Sequence, residues 1–189
     1  MKREILKDIE IIIPETYSDE RGNFSENFNQ RRFNELVKRN YSFVQDNKSF
    51  SKKGVFRGLH YQLNNPQGKL VQVLSGEVFD VILDLRENSE SFGDWMGIYL
   101  SSENGKQLWI PPGFAHGFLV LSDTAEFFYK VTDYWDKKDE RCIKWDDEKI
   151  SIELPEKPET ISVSDQEGSF FKDADLSLIH ISEPTRRKR

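Results

Sequence analysis

One cysteine, Cys142, stands in the whole chain. No intrachain disulfide can form, and a cysteine-rich metal site is excluded. Long apolar runs are missing too: nothing approaches the ~20 residues that a membrane-spanning helix needs. The start, Met1-Lys2-Arg3-Glu4, brings an acidic residue at once and leads into no long apolar stretch, unlike a secretory signal. These absences favour the cytoplasm. Excess positive charge is also lacking: the formal net charge is −6, which argues against a general nucleic-acid binder. The short basic end, Arg186–Arg189, reads as a solvated tail. Histidine is scarce, at three residues.

What is present suits one domain over residues 1–189, long enough for a core that needs neither disulfide nor metal. Ile9–Ile13 reads as a first strand ended by Pro14, and Asn29–Arg39 as a helix with Phe33, Leu36 and Val37 on one face. Strand-like runs follow at Tyr41–Gln45, Val55–Gln62, Lys69–Leu74, Val78–Leu85, Trp95–Leu100, Gln107–Ile110, Gly117–Leu121 and Ala125–Thr132. In the fourth of these, Phe79, Val81, Leu83 and Leu85 share a face while Asp80 and Asp84 punctuate the other. Closely spaced strands without intervening helices predict an all-β antiparallel barrel or sandwich. Leu176–Ile181 is a peripheral apolar segment.

Two histidines occupy settings suited to proton exchange near neutral pH. His60 lies late in the strand Phe56-Arg57-Gly58-Leu59-His60-Tyr61-Gln62, and His116 at the turn Pro111-Pro112-Gly113-Phe114-Ala115-His116. Either could equally be a hydrogen-bonded imidazole in an aromatic core, and His180 sits in the terminal apolar segment. A three-histidine metal centre fits poorly, because Gln62 stands where a second histidine would follow His60. Glu77 and Asp80 could add oxygen ligands but read better as structural. Tyr129 shares strand phase with Phe127 and Val131, so its phenol points inward as a proton donor or a packing group. Arg57, Lys69 and Arg21 are anion contacts or surface ion-pair partners. Strict alternation puts Arg57 and His60 on opposite faces unless Gly58 introduces a bulge or two subunits contribute them. Asp165 matters only if the chain folds back and its carboxylate meets an imidazole.

Taken together, these stretches resemble the dTDP-4-dehydrorhamnose 3,5-epimerase family of the cupin superfamily, over a core of about residues 8–165. The matching elements include Asp19-Glu20-Arg21-Gly22-Asn23-Phe24-Ser25-Glu26, Phe43-Val44-Gln45-Asp46-Asn47 and Gly54–Gln62. They continue through Gln67-Gly68-Lys69-Leu70-Val71, Gly76–Val81, Ile110–Phe118 and Trp145-Asp146-Asp147. The resemblance implies a cupin-type antiparallel β-barrel (jelly roll) with short peripheral helices. It implies chemistry that uses neither metal nor cofactor, and a homodimer whose N-terminal residues complete the neighbouring site.

By the same resemblance His60 is the general base, Asp165 its carboxylate partner and Tyr129 the general acid. Lys69 stabilises charge at the C4 oxygen of a dTDP-4-keto-6-deoxyhexose, with Arg57 near the sugar and phosphates. Arg21, Glu26, Gln45 and Asn47 hold the nucleotide, and His116 and Glu140 match further substrate contacts. The implied reaction is 3,5-epimerisation in dTDP-L-rhamnose biosynthesis. Epimerisation at C3 alone, a 3,4-ketoisomerase and a non-catalytic sugar-nucleotide binder are the competing readings. Three positions depart from the family pattern: Trp135 for a second tyrosine, Ser164 for a lysine before Asp165, and Leu154 for a tryptophan before Pro155.

Overall fold

The structure, a computed structural model, describes residues 6–176. His180, most of the Leu176–Ile181 segment and the basic end lie outside the described residues. Strands β1 (Glu10–Ile12), β2 (Thr16–Asp19) and β3 (Gly22–Ser25) precede helix α1 (Gln30–Val37). Then come β4 (Gln45–Lys52), β5 (Val55–Gln62), β6 (Lys69–Ser75), β7 (Glu77–Asp84) and β8 (Trp95–Ser101). They are followed by β9 (Gln107–Ile110), β10 (Phe114–Val120), β11 (Thr124–Val131) and β12 (Glu140–Cys142). The short β13 (Thr160–Ile161) and helix α2 (Val163–Gln166) complete the labelled elements.

The expected closed barrel is corrected by the strand pairing. One sheet runs β1-β9-β6-β11-β4 and the other β12-β5-β10-β7-β8, with β13 beside β5; β2 and β3 form a separate hairpin. Among the described residues both large sheets end in unpaired edges, so no ladder there closes them on themselves or joins them to each other. Alternating apolar and polar positions make a strand two-faced in either architecture, which is why the sequence pattern could not decide closure.

Packing shows how the sheets face one another. Val71 and Val73 of β6, Leu108 and Ile110 of β9 and Phe127 of β11 meet Val78 and Ile82 of β7 and Phe118 of β10 in one buried cluster. The outer face of the six-stranded sheet, with Phe56, Leu59, Val81 and Leu83, is covered by Ile143, Ile150 and Phe171 from the C-terminal region. The expected alternation in β7 therefore holds, with both of its faces buried. The outer face of the five-stranded sheet presents Leu70 and Trp109 to Phe33 of α1. Burying a phenylalanine side chain of this kind contributes roughly 1.5–3 kcal/mol.

Helix α1 starts where Asn29 caps the backbone N–H groups of Arg31 and Arg32, and it ends where Lys38 turns left-handed at φ 54°. It is thus shorter than the sequence pattern suggested, and Leu36 is 44% exposed rather than packed. Where the sequence pattern predicts a strand over Tyr41–Gln45, residues 41–44 are irregular: Tyr41 and Phe43 pack on Trp109 with ring centroids 4.8 and 6.0 Å away. The strand begins instead at Gln45. Its polar run escaped the apolar pattern because β4 is an edge strand.

Candidate active site

Along β5, the sequence Phe56-Arg57-Gly58-Leu59-His60 breaks strict alternation. His60 pairs with His116 and Arg57 with Phe118, so two residues of β5, Gly58 and Leu59, oppose Gly117 alone. This is the bulge that the sequence left open. Phe56 and Leu59 both enter the outer core, which leaves Arg57 and His60 on the other face together. Only glycines permit the crossing. A Cβ on Gly58 would lie 2.6 Å from the Gly117 Cα, and the Gly58 φ is +114°.

His60 is held by a carboxylate from far along the chain. Its Nε2 lies 2.8 Å from Asp165 Oδ1, while Asp165 Oδ2 accepts the Gly58 N–H at 3.1 Å. Asp165 sits in α2, capped by Ser162, and is 5% exposed. Burial alone would raise its carboxyl, but the bonds and charge of His60 and the Gly58 N–H hold it below the usual carboxylate range. An ionised Asp165 takes the Nε2–H, which leaves the imidazole lone pair on Nδ1.

Beside this pair lies a second one. His116 Nε2 is 2.8 Å from Asp80 Oδ2, with Asp80 fully buried on the inner face of β7. Burial pushes the Asp80 carboxyl up and the His116 imidazole down, each opposed by the charge and hydrogen bond of its partner. Asp80 Oδ1 has no hydrogen-bond partner among the described residues. The sequence placed Asp80 on this face but missed its tie to His116. The signal was an acid set between Val78 and Ile82, where a core strand would carry another apolar residue.

The facing sheet supplies the rest. Lys69 opens β6, is 8% exposed and donates from Nζ to the His60 carbonyl at 3.3 Å. Burial pulls its ammonium down to about 8, with Glu140 and Asp80 opposing. Tyr129 on β11 stands opposite Asn47 of β4 in the ladder and packs on Phe127 at 6.0 Å. Burial raises its phenol, reinforced by Glu140 and opposed by Arg57, so the hydroxyl keeps its proton at neutral pH. His60 and Tyr129 thus come from opposite sheets.

Gln45, Asn47 and Glu140 line the same end. Gln45 Nε2 donates to Asn47 Oδ1 at 2.7 Å, and Gln45 Oε1 accepts the Trp135 N–H at 3.1 Å. The Trp135 indole donates to Glu140 Oε1 at 2.9 Å, a contact the sequence did not reveal. Arg57 Nε donates to Ser51 Oγ at 3.0 Å. Gln62 is engaged in the adjoining loop: it donates to the carbonyls of Asn65 and Tyr134 and accepts the Asp136 N–H. Cys142 pairs with His60 across β12 and β5, and burial pushes its thiol up to about 12, aided by Asp165 and Glu140.

Arg21 and Glu26 stand apart. Arg21 lies at the tip of the β2–β3 hairpin, 85% exposed and paired with Asp19. Glu26 bonds Asn29 and Arg32. A cavity of about 1040 Å³, lined by Asp8, Tyr41, Arg86, Trp95 and Lys149 among others, contains none of these site residues. Among the described residues no helix is long and apolar enough to cross a membrane.

An imidazole on one sheet, a protonated phenol on the other and an ammonium bonded to the His60 carbonyl can take a proton from one side of a carbon and return one from the opposite side. That is the equipment of an acid–base isomerase. The chain belongs to the dTDP-4-dehydrorhamnose 3,5-epimerase family, whose model matches residues 3–173. It is 51% identical over 174 residues to a dTDP-4-dehydrorhamnose 3,5-epimerase of Pseudomonas aeruginosa, covering 92% of this chain and 96% of that one. The similarity to a Shigella flexneri protein of the same name is 54% over 179 residues, covering 94% and 98%. Among solved structures, a dTDP-6-deoxy-D-glucose-3,5-epimerase of Legionella pneumophila Philadelphia 1, in complex with dTDP-4-keto-L-rhamnose, superposes with a TM-score of 0.88. It is 48% identical, and the match covers 92% of this chain and 93% of that one.

Proposed function

We propose that this chain inverts C3 and C5 of dTDP-4-dehydro-6-deoxy-D-glucose, giving dTDP-4-dehydro-L-rhamnose. The observation that carries the reading is the His60–Asp165 pair on one sheet and Tyr129 on the other, with Lys69, from the sheet of Tyr129, donating to the His60 carbonyl. A ketone at C4 acidifies the hydrogens at C3 and C5, because charge left on carbon moves to oxygen. His60 Nδ1 removes the hydrogen and Lys69 meets the negative oxygen where charge develops. Tyr129 returns a proton from the opposite side, which inverts the centre. Arg57, Gln45, Asn47, Glu140 and His116 hold sugar and nucleotide, so that binding supplies orientation.

The proposal extends to a homodimer. Arg21 and Glu26, on and just after an exposed hairpin whose Tyr17 and Phe24 are 57% and 71% exposed, would reach the nucleotide of a second copy. The whole chain is then a single epimerase unit.

Turnover in deuterated water tests the reaction. Product carrying deuterium at both C3 and C5 is expected. Label confined to C3 would make the protein a C3-only epimerase, and substrate binding without label at either carbon would reduce it to a binder.

Lys69 sets the expected pH dependence. Its ammonium is charged below about 8 and neutral above, so the cation at the C4 oxygen is lost as pH rises. kcat/KM should therefore fall on the alkaline side with a midpoint near that value, and Lys69→Met should be slow with that limb gone. An unchanged alkaline limb in Lys69→Met would assign the titration to another group.

A further inference from the structure

The His60–Asp165 pair has a neighbour that the proposed reaction does not use. Cys142 lies directly opposite His60 in the β12–β5 ladder, so both side chains leave the same face. Helix α2 brings Asp165 to them from a third element. A His60 ring nitrogen, the Cys142 sulfur and an Asp165 carboxylate oxygen all lie within 4.8 Å of one another.

We propose that His60, Cys142 and Asp165 form a zinc site whose occupancy switches the epimerase off. Imidazole, thiolate and carboxylate are the donors Zn²⁺ takes at roughly 2.0–2.3 Å in a tetrahedron, with a fourth position left for water. The His60 nitrogen and Asp165 oxygen, 2.8 Å apart, need to spread slightly and the Cys142 sulfur to draw in by about 1 Å to reach that geometry. The ion can reach them, because the His60 side chain is 30% exposed and Cys142 is half-buried. A thiolate in the set favours zinc over magnesium or calcium, which prefer oxygen donors.

Inhibition follows from the proton on the imidazole. In the free enzyme Nε2–H faces Asp165 and Nδ1 carries the lone pair. Zinc bound at Nε2 displaces that hydrogen bond, the ring proton moves to Nδ1, and the thiol proton leaves to solvent. The nitrogen that would act as the base is then capped, while the nucleotide contacts stay open. This mechanism rests on the reading of His60 as the base.

Zinc titration of the purified enzyme, with cobalt as a spectroscopic probe, tests the site. Micromolar zinc should lower kcat with KM held, and a chelator should restore turnover. Cys142→Ser and Cys142→Ala should keep the parent turnover and need at least ~10-fold more zinc, since loss of even an outer-shell partner costs roughly 10–100-fold in metal affinity. Cobalt should give a sulfur-to-metal charge-transfer band in the parent and none in either variant. As the sole thiol, Cys142 makes that band unambiguous. The band in a protein with no epimerase turnover would support the metal site and count against the functional reading. No band, or equal zinc sensitivity in parent and variants, would overturn the proposal.

Discussion

Replacing His60 with alanine should lower both solvent exchange and product formation by about 10²–10⁴-fold, the usual cost of losing a positioned base. The structure adds a sharper companion. Asp165→Asn keeps the size of the side chain, but its amide would donate to Nε2 instead of accepting from it. The imidazole proton would then sit on Nδ1, the nitrogen assigned to attack the sugar hydrogen. A comparable tautomer reversal in a serine-protease triad costs about 10⁴-fold in kcat. Asp165→Asn should therefore lose turnover almost as severely as His60→Ala while nucleotide binding persists. Steady-state rates, with dTDP affinity as the folding control, provide the check. Parent-like turnover in Asp165→Asn would remove the tautomer argument and leave Asp165 a packing residue.

Tyr129→Phe should separate the two halves of the reaction. The ring keeps its packing on Phe127, and the deletion is confined to a hydroxyl. Deprotonation by His60 remains available, so substrate recovered from deuterated water should still carry label. Inverted product should fall by roughly 10²–10⁴-fold, because the proton can no longer return from the opposite sheet. Label and product are read in the same samples by mass spectrometry and NMR. Product at the parent rate would show that Tyr129 is not the acid. Tyr134, 66% exposed at the same end, would then be the next hydroxyl to remove.

The departures from the family pattern acquire different meanings in three dimensions. Trp135 removes a phenol, yet its indole holds Glu140, and its backbone meets Gln45. Ser164 stands next to Asp165, with its hydroxyl 2.9 Å from that of Ser162, the residue that caps α2. Leu154 packs against the outer core of the six-stranded sheet, where a larger ring would also be apolar.

Strand identity was legible in the sequence because period-two burial writes itself into alternation. Both buried faces of β7 show this, with Phe79 and Val81 turned to one core and Val78 and Ile82 to the other. The inward phase of Tyr129 was legible for the same reason, and Phe33 in α1 through helical spacing, although Leu36 of that expected face is exposed. Polar β4 and the three-residue β12 were not, since edge and short strands carry little apolar pattern. Sheet closure was equally hidden, because it depends on which edges meet and leaves no mark on alternation within a strand. Residue order was enough to specify a mostly antiparallel β protein carrying the ordered motifs of a sugar-nucleotide epimerase family. The folded chain was needed to show that Gly58 bulges against Gly117 and turns Arg57 and His60 to one face. It placed Asp165, which the resemblance alone had paired with His60, 2.8 Å from that ring across 105 positions, and it brought Asp80 across 36 to His116, a tie that nothing in the sequence announced. Those pairings come from the order in which strands stack and from where the C-terminal segment crosses the sheet, and neither is encoded in the residues flanking the two histidines.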